Sequence, residues 1–224
     1  AGNENRVGEG RDDGVDSMKS YKERGVDRVF DAGIHGKKTS AANCGHIDDR
    51  EMDLLCETEA AVVHNPESNM GNAVGCASIL KMIQKDILLG MGTDAYTQDM
   101  FESLKVANII HKHNLADPSV GFMETYNMLF QNNRKIAARY FKKPLGVLQP
   151  GAYADIILVD YIPHTPLDES TMRGHIMFGM MGRSVDSVMV NGKFVMRDRM
   201  VESVDECDLL AKSREQGADF GKRV

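Results

Sequence analysis

The stretch that decides the fold runs from residue 60 to residue 94, AAVVHNPESNMGNAVGCASILKMIQKDILLGMGTD. Residues 60–63 form a short apolar run with paired valines, the pattern of a buried strand. The polar loop His64-Asn65-Pro66-Glu67-Ser68-Asn69 follows, then Val74, Ala77, Leu80 and Ile83 recur at helical spacing, and residues 87–92 read as a second strand. With a helix predicted over 98–113, the order is β-α-β-α at short intervals. Helices between strands carry the chain back to the same end of a sheet, so the pairing is parallel and the functional loops gather at the strand C-termini. Asn43, His64 and Asp94 stand at such ends.

Upstream, Val15, Met18, Tyr21, Val26 and Val29 are spaced as on one helix over 12–30, and a short segment at 39–44 follows the turn at Gly33 and Gly36. Asp48, with Glu51 three residues on, forms a capping box with Asp in place of the usual Ser or Thr. It opens a helix carrying Met52, Leu54 and Leu55. Downstream, a helix over 123–141 stops at Lys142-Lys143-Pro144, and period-two patterning takes over. Residues 154–160 read as a strand, while 187–190 and 193–196 flank Asn191-Gly192, a dipeptide suited to the positive φ of a type I′ hairpin. A domain boundary is expected near Pro144, and residues 206–224 read as a polar C-terminal helix, docked or frayed.

The 224 residues carry 27 Lys+Arg against 33 Asp+Glu, a formal charge of -6. With a pI near 5.7, nothing favours nucleic acid or an anionic membrane as partner, since both need clustered basic residues. No apolar run approaches the roughly 18 residues needed to span a bilayer, and residues 1–30 hold no apolar leader core, so neither membrane insertion nor export is expected. Cys44, Cys56, Cys76 and Cys207 lie far apart with no Cys-x-x-Cys, which points to a reducing, cytoplasmic setting. The 15 Met are scattered, as core fillers are.

Gly92-Thr93-Asp94 puts a carboxylate just beyond a buried strand, where it can bind metal or accept a proton. Asp94 suits equally well the capping of the helix that follows. His64 reads either as a ligand or acid/base group or as a histidine hydrogen-bonded within its own loop. His111 and His113 are two apart, so on a helix they point to different sides and cannot chelate one ion together.

Four segments in this order resemble the amidohydrolase superfamily: EMDLLCETEAAVVHNPESN (51–69), GMGTDAYTQDM (90–100), GVLQPGAYADIILVD (146–160) and VDSVMVNGKFV (185–195). The likeness is to its branch of cytosine, guanine and methylthioadenosine deaminases and triazine chlorohydrolases. Within that branch, VVHNPESNMGNAVG is similar to an aminohydrolase subfamily linked to selenium metabolism. The resemblance implies an α/β fold: residues 1–143 as the C-terminal part of a (β/α)8 barrel, about strands five to eight, 144–204 as a β-sandwich portion and 205–224 as the terminal helix. It implies a divalent metal, zinc or iron, held by a His-x-His after the first strand, a His after the fifth and an Asp after the eighth. Such a metal lowers the pKa of bound water, so that hydroxide attacks an sp² ring carbon of a heterocyclic substrate and a C–N bond is hydrolysed. The Asp takes the water proton, a Glu three residues after the fifth-strand His protonates the ring nitrogen, and a sixth-strand His polarises the developing charge.

Carried over residue by residue, Asp94 matches the metal-binding, proton-accepting Asp in its Gly-Thr-Asp context. Glu9, in Arg6-Val7-Gly8-Glu9-Gly10, matches the proton-shuttling Glu. Arg6 then stands where the fifth-strand His belongs, and a guanidinium has no lone pair for a metal. Asn43 stands where the sixth-strand His belongs. It can donate a hydrogen bond but cannot titrate, and His46 would need a backbone shift to replace it. Asp94 alone of the expected ligands is present, whereas a catalytic zinc usually needs about three protein ligands. The expectation is a C-terminal portion or a degenerate copy with the His-x-His half outside it, turning over weakly or not at all. A non-catalytic binding or assembly protein is the rival from another class, and plain decay or error of the sequence is a third reading. An open half-barrel exposes strand edges, so oligomerisation or poor solubility is expected.

Overall fold

The computed structural model describes residues 2–222. Strands β1 (Asn3–Val7), β2 (Thr39–Asn43), β3 (Ala61–His64) and β4 (Leu89–Met91) pair in chain order, each parallel to the next. The connections are helical, as parallel pairing demands. α1 (Arg11–Tyr21) and α2 (Gly25–Asp31) lead from β1 to β2, and α3 (Asp49–Glu57) leads to β3. α4 (Pro66–Gly71) and α5 (Ile79–Gln84) lead to β4, and α6 (Met100–Leu115) follows it. The core lies between this sheet and its helices, where Val62 and Leu89 from the strands meet Met52, Leu55, Met82, Leu104 and Ala107. The capping box is present, with the Asp48 side chain accepting from the Glu51 N–H and the Glu51 side chain accepting from the Asp48 N–H.

Three predicted helices are broken in the structure. The helix expected over 12–30 is split between α1 and α2, because Lys22 takes a left-handed φ of 64° and its N–H caps the Met18 carbonyl. The helix expected to carry Val74 to Ile83 starts earlier instead, as α4, where Pro66 presets the first turn. Positive φ at Ala73 (53°) and Gly75 (105°) then interrupts it before α5 begins. The long helix over 123–141 is α7 (Phe122–Asn127), a π turn at Met128–Asn132, and α8 (Asn133–Ala137). β4 is also shorter than the strand read at 87–92.

The π turn and α8 pack against β4, and the Asn133 carboxamide closes the outer edge of that strand. Its Oδ1 accepts from the Met91 N–H at 3.0 Å and its Nδ2 donates to the Met91 carbonyl at 2.9 Å, replacing the two bonds a neighbouring strand would make. β1 forms the opposite edge among the described residues.

The second sheet is antiparallel, with β5 (Ile156–Val159), β6 (Val185–Val190), β7 (Lys193–Arg197) and β8 (Met200–Val201) side by side. Asn191 (φ 49°) and Gly192 (φ 79°) make the β6–β7 turn with both central residues left-handed, as a type I′ hairpin requires. Between β5 and β6 the chain returns to the first core through α9 (Met172–Gly174) and a π turn at His175–Gly179 that buries Met177. Asp99 ties the two parts: it caps α6 by accepting from the Phe101 and Glu102 N–H groups, and it accepts from the Gly182 N–H at 2.7 Å. α10 (Glu206–Gly221) buries none of its residues. Arg223 and Val224, the end of the helix read over 206–224, lie outside the described residues. Among the described residues no helix is long and apolar enough to cross a membrane.

Candidate functional site

The C-terminal ends of the parallel strands bring three segments together. Arg6 leaves the end of β1, and Gly8 (φ 57°) turns the chain so that Glu9 comes back beside it. Asp94 lies on the loop after β4, held with Ala95 in left-handed conformations (φ 50° and 59°) that cost a non-glycine residue roughly 1 kcal/mol each. The Arg6 guanidinium bridges them, with Nη2 2.6 Å from Asp94 Oδ1 and Nη1 3.2 Å from Glu9 Oε2. From α4, the Ser68 hydroxyl donates to Asp94 Oδ2 at 2.7 Å and Asn72 Nδ2 donates to Glu9 Oε1 at 3.2 Å. The two carboxylates are largely buried, at 16% and 18% exposure, while Arg6 is 57% exposed. A cavity of about 620 Å³ lined by Arg6, Glu9, Asp13, Tyr21 and Arg28 adjoins the cluster.

Asp94 and Glu9, matched separately from the sequence, are therefore brought together. Of the two uses open to Asp94, helix capping is taken by Asp99, which leaves Asp94 to the cluster. Asn43 does not join it. Its side chain is buried at a φ of 71°, its Oδ1 accepts from Asn65 Nδ2 at 2.8 Å, and its own Nδ2 has no partner among the described residues. His46 offers no replacement, because its Nε2 is engaged by the Val74 carbonyl.

His64 pairs with His111 on α6 and not with its own loop. Its Nε2 lies 3.1 Å from His111 Nε2, and His111 Nδ1 lies 3.3 Å from the Cys76 thiol. Burial, reinforced by the neighbouring His111, pushes His64 down to about 3, and burial pushes His111 down to about 4. Both rings are thus neutral at physiological pH. His113, two residues on, is exposed, as the helical spacing requires.

Sequence reasoning passed over Ser68 and Asn72. The signal was the proline after a strand end: Pro66 starts α4 there, and Ser68 and the C-cap Asn72, four apart, share a face, so that Ser68 reaches Asp94 and Asn72 reaches Glu9. For a divalent metal the residues present do not fit. Among the described residues no group of three or more His, Cys, Asp or Glu can hold an ion, and both Asp94 oxygens already accept hydrogen bonds, one from a cation.

Comparison with known proteins places this geometry. The amidohydrolase family model matches residues 7–195, and the chain belongs to that family. It is 31% identical over 215 residues to a 5-methylthioadenosine/S-adenosylhomocysteine deaminase of Syntrophomonas wolfei, covering 93% of this chain and 49% of that protein. It is 32% identical over 188 residues to a 5'-deoxyadenosine deaminase of Methanothermobacter thermautotrophicus, covering 81% and 43%. The chain thus spans about half the length of the curated relatives it matches. Among solved structures, an adenosine deaminase from Xanthomonas campestris with bound zinc superposes with a TM-score of 0.85 at 22% identity, over 99% of this chain and 51% of that one. That likeness shows the fold. The superfamily and the deaminase branch read from residues 51–69, 90–100, 146–160 and 185–195 in combination are borne out.

Proposed function

We propose that the chain is the C-terminal portion of an aminohydrolase that hydrolyses a C–N bond of a small nitrogen heterocycle, and that it turns over weakly or not at all by itself. In this reading residues 1–143 supply barrel strands five to eight, 144–204 a sandwich portion and 205–224 a terminal helix. The observation that carries it is the meeting of Glu9 and Asp94 at one end of the parallel sheet, from the first and last of its strands. Two carboxylates so placed suit paired proton transfer, Asp94 accepting from the attacking water and Glu9 delivering to the ring nitrogen. Asn43 contributes a hydrogen bond at most. The deaminase names of the relatives support the substrate class, and zinc in a solved relative supports a divalent metal, zinc or iron, in the family's chemistry. The proton transfers of this reading belong to Glu9 and Asp94, and the described residues do not hold a metal.

The test is ammonia release from adenosine, 5-methylthioadenosine, guanine and cytosine by the full chain, beside Asp94→Asn and Glu9→Gln. The expected result is a trace rate that falls further, by about 10²-fold or more, in each variant. A rate indifferent to both substitutions overturns the reading. A non-catalytic binding or assembly role is the second reading, favoured by one observation: Arg6 already joins the two carboxylates in a satisfied ion-pair cluster. A second copy or another polypeptide at the β1 edge is then the partner, with no nucleic acid or membrane involved.

A further inference from the structure

We infer that Arg6 is the resident cation of this site and that its guanidinium keeps the site free of divalent metal. The inference rests on the reading of these strand ends as an amidohydrolase site. All four oxygens of the carboxylate pair have a donor: Asp94 Oδ1 and Glu9 Oε2 from the two terminal nitrogens of Arg6, Asp94 Oδ2 from Ser68, and Glu9 Oε1 from Asn72. A metal ion at Asp94 would have to displace a charge-assisted bond of 2.6 Å and then sit within a few ångströms of a fixed positive charge. The guanidinium cannot step aside by losing its proton, and it offers no lone pair as a ligand.

The geometry also shows why arginine does this and lysine would not. The two carboxylates come from the loop after β1 and the loop after β4, the two edge strands, and the planar fork reaches both with separate nitrogens. A single ammonium is a point charge without that fork. Arg6 therefore does structurally what a bridging metal does elsewhere, joining anionic groups across the mouth of the sheet, while supplying no Lewis acid. Because Arg6 is more than half exposed, the tie is sensitive to salt rather than to chelators.

The experiment titrates the purified full chain with Zn²⁺ and with Co²⁺, reading metal per chain by plasma mass spectrometry, the visible Co²⁺ absorption and the thermal midpoint. The wild type is expected to retain essentially no zinc after dialysis, to show no Co²⁺ band and to keep its midpoint when metal is added. Arg6→His, which swaps the cation for a donor beside Asp94 and Glu9, is expected to gain zinc, a Co²⁺ band and a metal-dependent rise in midpoint. All three gains should vanish in Arg6→His/Asp94→Asn. Should Arg6→His not fold, Arg6→Gln removes the charge at similar length and is expected to gain the Asp94-dependent Co²⁺ band. Wild-type zinc near one per chain, lost in Asp94→Asn, overturns the inference, as does a folded Arg6→His or Arg6→Gln that takes up no metal. Metal content tests this inference and ammonia release tests the aminohydrolase reading, so either can fail alone.

Discussion

Glu51 shows how much one side chain can organise. It is buried beneath α2, and each of its oxygens is used: Oε1 accepts from the Val26 N–H at 3.1 Å, and Oε2 accepts from Arg24 Nε at 2.7 Å and from the Asp48 N–H at 3.0 Å. The start of α2, the start of α3 and a partly buried arginine all depend on it. Glu51→Ala is expected to cost about 3 kcal/mol in urea unfolding, because it strands the Val26 and Asp48 N–H donors and leaves Arg24 with Asp48 as its one carboxylate partner among the described residues. A loss below about 1 kcal/mol would mean that water replaces all three bonds. The capping half of this role was legible in the sequence, since Asp48 and Glu51 are three apart. The tie to Arg24 and Val26 was not, because nothing in the local pattern shows which helix will lie above α3.

At the scale of elements, the pairing of β3 with α6 through His64 and His111 makes stability depend on acid. Both imidazoles have folded values pushed below the ordinary 6.5, to about 3 and about 4, chiefly by burial. Below pH 6.5 the unfolded chain takes up protons that the folded chain refuses. The stability contributed by the neutral pair is thus present in full above that pH and is lost as pH falls toward 4. The expected slope is about 1 kcal/mol per pH unit for each histidine. Urea unfolding at pH 7, 6 and 5 should show it, and the double variant His64→Val/His111→Leu should flatten it; an unchanged slope would place the lost protons elsewhere. The β4 edge supplies a second prediction at this scale. Asn133→Ala removes both bonds to Met91 and is expected to destabilise the chain by about 2 kcal/mol, with faster amide exchange at Met91.

For the whole molecule, the parallel sheet, its helices and the returning segment around Met177 share one core, while α10 contributes nothing to it. Leu209, Leu210 and Phe220 are exposed on that helix. Ending the chain before Asp205 is therefore expected to move the thermal midpoint by less than about 2 °C, the range of a surface change in a chain of this size. A larger drop would show that the helix docks in solution. The same division of scale explains which parts of the fold could be read in advance. The alternation of strand and helix from 60 to 94 and the turn at Asn191-Gly192 are carried by residues within a few positions of each other. The break at Lys22 and the early start of α4 at Pro66 defeated the hydrophobic period, because a positive φ or a preset first turn outweighs apolar spacing.

By itself the sequence determined the parallel α/β order, the antiparallel hairpin and the position of Asp94 just past a strand, all through periodicity and local hydrogen bonding. It also marked Glu9, Arg6 and Asn43 as the residues to examine, through resemblance. Only the tertiary structure decided that Arg6 and Asp94, 88 positions apart, share an ion pair, that Glu9 joins them, and that Asn43 does not. The physical reason is distance along the chain. A contact between the first and last strands of a sheet depends on how every strand between them pairs and twists, and no short segment carries that information.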